Sequence, residues 1–387
     1  MNLPPLPVPP DPPIPFNRPL LLDEGLAYVR AAFANGHVSG DGGFTRRCQD
    51  FFDGYLAPGR TLLTTSCTDA LELSALLLDV GPGDDVIVPS FTFVSTANAF
   101  VLRGARPVFA DIRPDTYNLD EAQLAGLLTP RTKAIAVVHY GGVSCEMDVI
   151  SPLAAERGIS VIEDNAHGLF GTYRDRKLGT FGRLSTLSFH ETKNLSCGEG
   201  GALVVNDPQL AGRAEVLREK GTDRSRFFRG EIDKYTWRDI GSSFLPSDIL
   251  AALLWAQVEA HEVIQERRRE IHDHYAGCLA DWARGGNVGF QSVPPACRSS
   301  HHLFSLLLPT PGAQQAFLRH LKARGVNAVF HYQPLHLTPM GRSLGGRPGQ
   351  CPVAESVSGR IARLPFYFDL NRADQDRVIE AVLSFTP

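Results

Sequence analysis

The chain has 387 residues, 43% of them hydrophobic and 21% charged, with a formal net charge of −4. That is enough apolar sequence for a sizeable core, and a net negative charge with no contiguous block of lysine and arginine argues against nucleic acid or an anionic membrane as the main partner. The cysteines at 48, 67, 145, 197, 278, 297 and 351 form no Cys-x-x-Cys pair, so neither a disulfide framework nor a metal site is expected, and a reducing cytoplasm fits best.

In chain order, residues 1–15 belong to the proline-rich stretch MNLPPLPVPPDPPIPF. It lacks the charged start and apolar core of a signal peptide and reads as an extended, flexible tail. A large domain is expected over 16–258. Its strand candidates are Arg60–Leu63, Val86–Val88, Pro107–Ala110, Ala134–His139, Ser160–Ile162, Leu184–Ser188 and Ala202–Asn206. Helical patterns lie between them, such as Asp69–Leu78, Ser95–Arg103 and Val149–Arg157. This alternation predicts an α/β fold, a mainly parallel seven-stranded sheet between helices, with ligands at the carboxyl ends of the strands. One long helix is expected over Ser247–Leu279, linking two domains, with its first half DILAALLWAQVEA buried nearly all round. A smaller C-terminal α+β domain is expected over 259–387. Its strands are predicted at Phe304–Leu308 and Val326–Phe330, and its helices at Ala313–Arg324, Val353–Leu364 and Arg372–Ser384.

Chemistry-bearing residues fall at the ends of these strands. Lys193 stands between an apolar strand and a glycine-rich turn in SFHETKNLSCGEGG. Asp164 ends a buried strand in VIEDNAH, where a carboxylate is costly without a cationic partner. Ser66, Cys67 and Thr68 in SCTDAL meet a helix start, whose free N–H groups suit a phosphate. Ser188 precedes Lys193 by five residues, and Phe93 follows a strand in PSFTFVSTAN. Taken singly, each has a plainer reading: a solvated amine, a helix cap, a turn. In this order they match the needs of pyridoxal 5'-phosphate. The lysine joins its aldehyde, the carboxylate keeps its ring nitrogen protonated, the helix start and hydroxyls hold its phosphate, and an aromatic ring covers its face.

The run of SCTDALELSALLL, GDDVIVPSFTFVSTANAFVLRGARPVFADI, VIEDNAHG and SFHETKNLSCGEGGALVVND resembles the nucleotide-sugar aminotransferases of the DegT/DnrJ/StrS type. The resemblance implies a fold type I aminotransferase dependent on pyridoxal phosphate. Residue by residue, it implies that Lys193 bonds the cofactor, Asp164 pairs with its ring nitrogen, and Phe93 stacks on it. Ser188 and the backbone around Thr68 and Asp69 match its phosphate site. His167 stands where most members have glutamine, near the ring hydroxyl. Asp69 replaces the usual alanine, so its carboxylate should turn from the phosphate and cap the helix. Ser243, in GSSFLPSD, takes the place of an asparagine that reaches the phosphate from the neighbouring subunit. The resemblance thus implies a homodimer with shared sites.

The stretches GDGGFTRRCQ, VHYGGVSCEMD, REKGTDRSRFFRGEIDKYTWRDIGSSF and VFHYQPLH further resemble members that aminate C4 of a dTDP-linked 4-keto-6-deoxyglucose. That likeness implies L-glutamate as donor, a 4-amino-4,6-dideoxygalactose product and a place in surface polysaccharide or antigen synthesis. Lys220, Arg224 and Arg229, in a basic run with Phe227 and Phe228, are candidates for the nucleotide diphosphate, and a solvated loop is the plainer reading. His331 and Tyr332 are expected near the site by the same likeness. Alternatives are amination at C3, a GDP- or UDP-linked sugar, or a cofactor-binding regulatory protein without turnover.

Overall fold

The computed structural model describes residues 12–387. The seven strands of its large sheet are β1 (Arg60–Thr64), β2 (Asp85–Pro89), β3 (Arg106–Ala110), β4 (Thr132–Val138), β5 (Ser160–Asp164), β6 (Leu184–Ser188) and β7 (Gly201–Val205). Their order across the sheet is β1-β7-β6-β5-β4-β2-β3. All pairs are parallel except those of β7, which runs antiparallel to β1 and β6. The strands are buried Val-, Ile-, Leu- and Ala-rich runs, as a sheet covered on both faces requires. Register puts Thr64 and Ser188 opposite Gly201, and Asp164 opposite Thr186. The carboxyl ends of β1, β5 and β6 and the start of β7 therefore share one edge.

Helices on the sheet include α1 (Asp23–Ala34), α2 (Gly43–Tyr55), α3 (Cys67–Leu77), α4 (Ser95–Val101), α5 (Met147–Glu156), α6 (Pro208–Arg218) and α7 (Asp248–Glu259). The first two went unread in the sequence. Neither has a side-chain N-cap, since Leu22 and Gly42 occupy those places.

The expected single helix over Ser247–Leu279 is two. It breaks at Ala260, after which α8 (His261–Gly285) begins. The His261 ring nitrogen lies 2.8 Å from the Val258 carbonyl and satisfies it where the ladder is interrupted. α7 is buried over Ala251, Ala252, Leu254, Ala256 and Val258, as its composition predicts.

The C-terminal part builds a four-stranded antiparallel sheet from β8 (Gly289–Phe290), β9 (Ser305–Leu307), β10 (Val329–Phe330) and β11 (Ile361–Arg363), in the order β8-β9-β11-β10. It packs with α8, α9 (Pro311–Ala323) and α11 (Arg372–Leu383) around Phe304, Leu306, Phe317 and Val378. The helix expected over Val353–Leu364 stops early. α10 covers only Pro352–Ser358, Gly359 follows, and Ile361–Arg363 pairs with Ser305–Leu307 instead.

The extended tail read over 1–15 lies outside the described residues up to 11. Its last part is anchored: Ile14 is buried, donates to the Gly325 carbonyl and accepts from the Asn327 amide.

Candidate active site

The shared strand edge opens into a cavity of about 730 Å³. Lys193, Asp164, Thr68, Phe93, His167, Ser188, His331 and Tyr332 all line it, although they come from sequence positions spread over more than half the chain.

Local structure explains how each is held. On β5, side chains alternate across the sheet. Glu163 turns one way and accepts the Gly179, Phe181 and Gly182 amides and the His139 ring, tying down a loop. Asp164 turns the other way, into the cavity. It accepts the Thr96 hydroxyl at 2.6 Å and the Ala166 amide at 3.3 Å, and among the described residues no lysine or arginine is ion-paired to it. Burial raises its carboxyl above the ordinary value, against the pull of Thr96 and Lys193.

Lys193 sits in the turn between β6 and β7. Its neighbour Asn194 fixes that turn by donating to the Ser300 carbonyl and the Gln265 side chain. Burial outweighs the attraction of Asp164, and the charges of Arg363 and Arg268 add to it, so the Lys193 amine is pushed down to about 8. An amine with that pKa is charged at pH 6 and mostly neutral at pH 9. Only the neutral form is a nucleophile. Capture of pyridoxal phosphate by the cofactor-free protein, followed by its visible spectrum, should therefore quicken about tenfold from pH 6 to 7 and level off above about pH 8. A rate still climbing steeply between pH 9 and 10 would mean that burial does not depress this amine.

The N-terminus of α3 forms another wall. Ser66 caps it, its hydroxyl accepting the Asp69 amide at 3.0 Å. The Asp69 carboxylate bonds the Thr65 hydroxyl and does not line the cavity, so it turns away as expected. The cap itself comes from Ser66 and not from Asp69. Gly201 explains part of the glycine-rich turn: a Cβ there would lie 2.3 Å from the Ser66 carbonyl carbon. No side chain fits where β7 passes under the helix start.

Three neutral histidines line the side toward the small sheet. Burial pushes His167, His302 and His331 well below their ordinary value. His167 and His302 stack with ring centroids 4.1 Å apart. Their tautomers follow from their partners. His167 Nδ1 accepts the Gly141 amide, so the proton is on Nε2. Both amide hydrogens of Asn194 are spent elsewhere, so its oxygen accepts from His302 Nδ1, leaving Nε2 as an acceptor. His331 Nδ1 bonds the Tyr140 hydroxyl at 2.6 Å, and its ring lies 3.6 Å from that of Tyr332. Tyr332 has φ 24°, a strained value for a tyrosine. Phe93 is 56% exposed, with its ring free to meet a ligand's face.

Four expected residues lie elsewhere. Lys220, Arg224, Arg229 and Ser243 line a second cavity of about 780 Å³. The basic side chains there are not unpaired: Lys220 and Arg224 meet Glu219, and Arg229 meets Glu215 and Glu231. The carboxylates were in the sequence, but the pairing is tertiary. Sequence reading also missed His302, Arg363 and Asn194. The first two come from the small sheet region, and only the packing of that region against the large sheet brings them in.

Among the described residues no helix is long and apolar enough to cross a membrane, and no His, Cys, Asp or Glu cluster could hold a metal. Residues 20–383 match the model of the DegT/DnrJ/EryC1/StrS aminotransferase family. The chain is 34% identical to dTDP-4-dehydro-2,3,6-trideoxy-D-glucose 4-aminotransferase of Saccharopolyspora spinosa, with 93% of each chain covered. It is 32% identical to GDP-perosamine synthase of Caulobacter vibrioides, covering 92% of this chain and 93% of that one. Among solved structures, the putative sugar aminotransferase Spr1654 of Streptococcus pneumoniae in its PLP form superposes with a TM-score of 0.89 at 25% identity, covering 96% of this chain and 98% of that one. The cavity suits that cofactor. Asp164 is a buried carboxylate with hydroxyl and amide partners but no cation, which a protonated ring nitrogen would supply. Lys193 offers a desolvated amine beside it, and the α3 start offers N–H groups. The chain belongs to the DegT/DnrJ/EryC1/StrS aminotransferase family, has the fold type I architecture of those enzymes, and uses pyridoxal phosphate.

Proposed function

We propose that this aminotransferase moves the amino group of L-glutamate to C4 of dTDP-4-keto-6-deoxy-D-glucose, giving dTDP-4-amino-4,6-dideoxy-D-galactose. The observation that carries the transaminase chemistry is the half-buried Lys193 amine, depressed by desolvation to about 8, beside the cation-free Asp164. When bound, pyridoxal phosphate supplies a carbonyl that takes up the amino group and a ring that absorbs the electrons left as a proton departs.

The chain's residues do the rest. Lys193 holds the cofactor in the resting enzyme, then takes the proton from Cα of glutamate. In the second half-reaction its Nζ delivers a proton to C4 of the sugar. Asp164 keeps the ring nitrogen protonated. The α3 start at Thr68 and the Ser188 hydroxyl hold the phosphate. Phe93 covers one face of the ring. His167 presents an Nε2–H donor, which suits the ring oxygen that glutamine meets in most members of the family.

The enzyme works as a homodimer in the cytoplasm, and Ser243 of each subunit completes the phosphate site of the other. Exposed Phe228, Tyr235, Trp237 and Ile240 near the second cavity support a protein contact there. Lys220, Arg224 and Arg229 would then face the nucleotide diphosphate, exchanging their glutamate partners for it.

The dTDP assignment is supported by the stretches GDGGFTRRCQ and REKGTDRSRFFRG and by the S. spinosa relative, named for a dTDP-4-dehydro sugar. The C. vibrioides relative, a GDP-perosamine synthase, favours a GDP-linked sugar as the second reading. Incubation with L-glutamate and either keto sugar, followed by NMR of the product, separates them. The proposal expects an axial 4-amino group on the dTDP sugar. An equatorial amine, or turnover of the GDP sugar alone, would overturn it.

A further inference from the structure

A second array of chemistry-bearing side chains lies where α8 meets α11, and transamination makes no use of it. Cys278 and His274 stand four residues apart on α8, so they share one face of that helix. Cys278 Sγ lies 3.4 Å from His274 Nδ1, and His274 Nε2 lies 2.8 Å from Asp376 Oδ1 on α11. We propose that Cys278 is a site of reversible thiol modification, with His274 as its base and low-molecular-weight disulfides as its reactants.

The fold builds this array beside a buried seam. Ile271, Tyr275 and Leu279 run along α8 at four-residue spacing, fully buried in the cluster that holds Val378 and Ile379 of α11. His274 and Cys278 each precede a member of that row, so they lie on its flank. The His274 side chain is 9% exposed, and Asp376 reaches it from the facing helix. Cys278 is exposed. The partners settle the tautomer. A carboxylate only accepts, so Asp376 takes the hydrogen bond from Nε2 and leaves the Nδ1 lone pair facing the thiol. An acceptor aimed at a thiol, and itself oriented by a carboxylate, is the arrangement that activates a sulfur nucleophile.

No other cysteine is placed this way. Cys48, Cys145, Cys197, Cys297 and Cys351 are buried, and Cys67 is half-buried in the Lys193 cavity with its thiol on Thr186. Burial pushes all six of these thiols up, which withholds the reactive thiolate. Cys278 is thus the one exposed thiol of the seven, and this decides the product. With no second exposed thiol to displace it, an adduct on Cys278 stays until an outside thiol removes it.

The step balances as an exchange. The thiol proton passes to His274 Nδ1, and Sγ attacks one sulfur of the small disulfide. A new S–S bond forms as the old one breaks, and the leaving sulfur takes the proton back from His274. Cys278 is oxidised to the mixed disulfide, and one half of the small disulfide is reduced to its thiol. Asp376 stabilises the imidazolium between the two proton transfers.

The test incubates the holoenzyme with glutathione disulfide and follows each cysteine by peptide mass mapping. The peptide carrying residue 278 should gain glutathione at least about tenfold faster than any other, and dithiothreitol should remove it. Cys278→Ser should abolish that adduct. His274→Gln should slow its formation at least about tenfold, and Asp376→Ala about threefold or more. Asp376 is 50% exposed, so its variant decides the matter should the histidine variant fail to fold. A rate within about twofold of the unchanged protein in His274→Gln, or in Asp376→Ala where the first does not fold, would make Cys278 merely an exposed thiol and overturn the proposal. Faster reaction at any of the six covered cysteines would overturn it too.

Discussion

Replacing Lys193 with alanine should lower turnover by about ten-thousandfold or more, because one side chain performs several tasks. It anchors the cofactor, removes the donor proton and returns a proton to the sugar. No second amine can substitute. The other basic groups whose charge reaches Lys193 are the guanidiniums of Arg363 and Arg268, which stay protonated. The variant should still fold, since Lys193 contributes no hydrogen bond to the core and its desolvation is a cost the alanine avoids. Retained thermal stability with lost turnover is the expected pair of results. A variant losing less than about a hundredfold in turnover would show that the proton transfers belong to another group.

Asp164→Asn should have the second largest effect, a loss of about a hundred- to a thousandfold in turnover. Asparagine keeps the shape and can still accept the Thr96 hydroxyl, but it cannot carry charge. The ring nitrogen would then lose the anion that keeps it protonated. The same substitution should stabilise the cofactor-free protein. Burial raises the Asp164 carboxyl above its ordinary value, so ionisation at neutral pH costs folding free energy that a neutral amide does not. Thermal unfolding of the cofactor-free form should thus shift upward near pH 7. The gain should vanish as pH falls below the ordinary carboxylate range, where both folded and unfolded aspartate are protonated. Normal turnover, or a destabilised cofactor-free variant, would show that Asp164 is a structural cap.

The strands around this site were legible because buried parallel strands are short apolar runs. Leu184–Ser188 has the bounds expected from sequence, and the other strands differ by one or two residues at an end. Lys193 and Asp164 were legible because each stands at the end of such a run, where side chains meet ligands. α1 and α2 were not, since their N-cap positions are Leu22 and Gly42, which offer no capping side chain, and the carboxylate that accepts the first amides of α2 comes from Asp248, 203 residues on from Thr45 in the chain. The region 353–364 misled because its apolar residues suit either period. Gly359 and pairing with Ser305–Leu307 decided for a strand after a short helix. The role of the 218–230 run depends on which glutamates reach its arginines, a tertiary fact. Arg363 and His302 lie more than a hundred residues from Lys193 and enter the cavity only through packing, so no local pattern announces them.

The central claim is that Lys193 is the amine that bonds the cofactor, and borohydride reduction followed by peptide mass mapping tests it most directly. The reading predicts one stable adduct with the mass of reduced pyridoxal phosphate, on the peptide containing residue 193, and none in the alanine variant. An adduct on any other lysine, or a colourless protein that traps nothing after soaking in the cofactor, would contradict it.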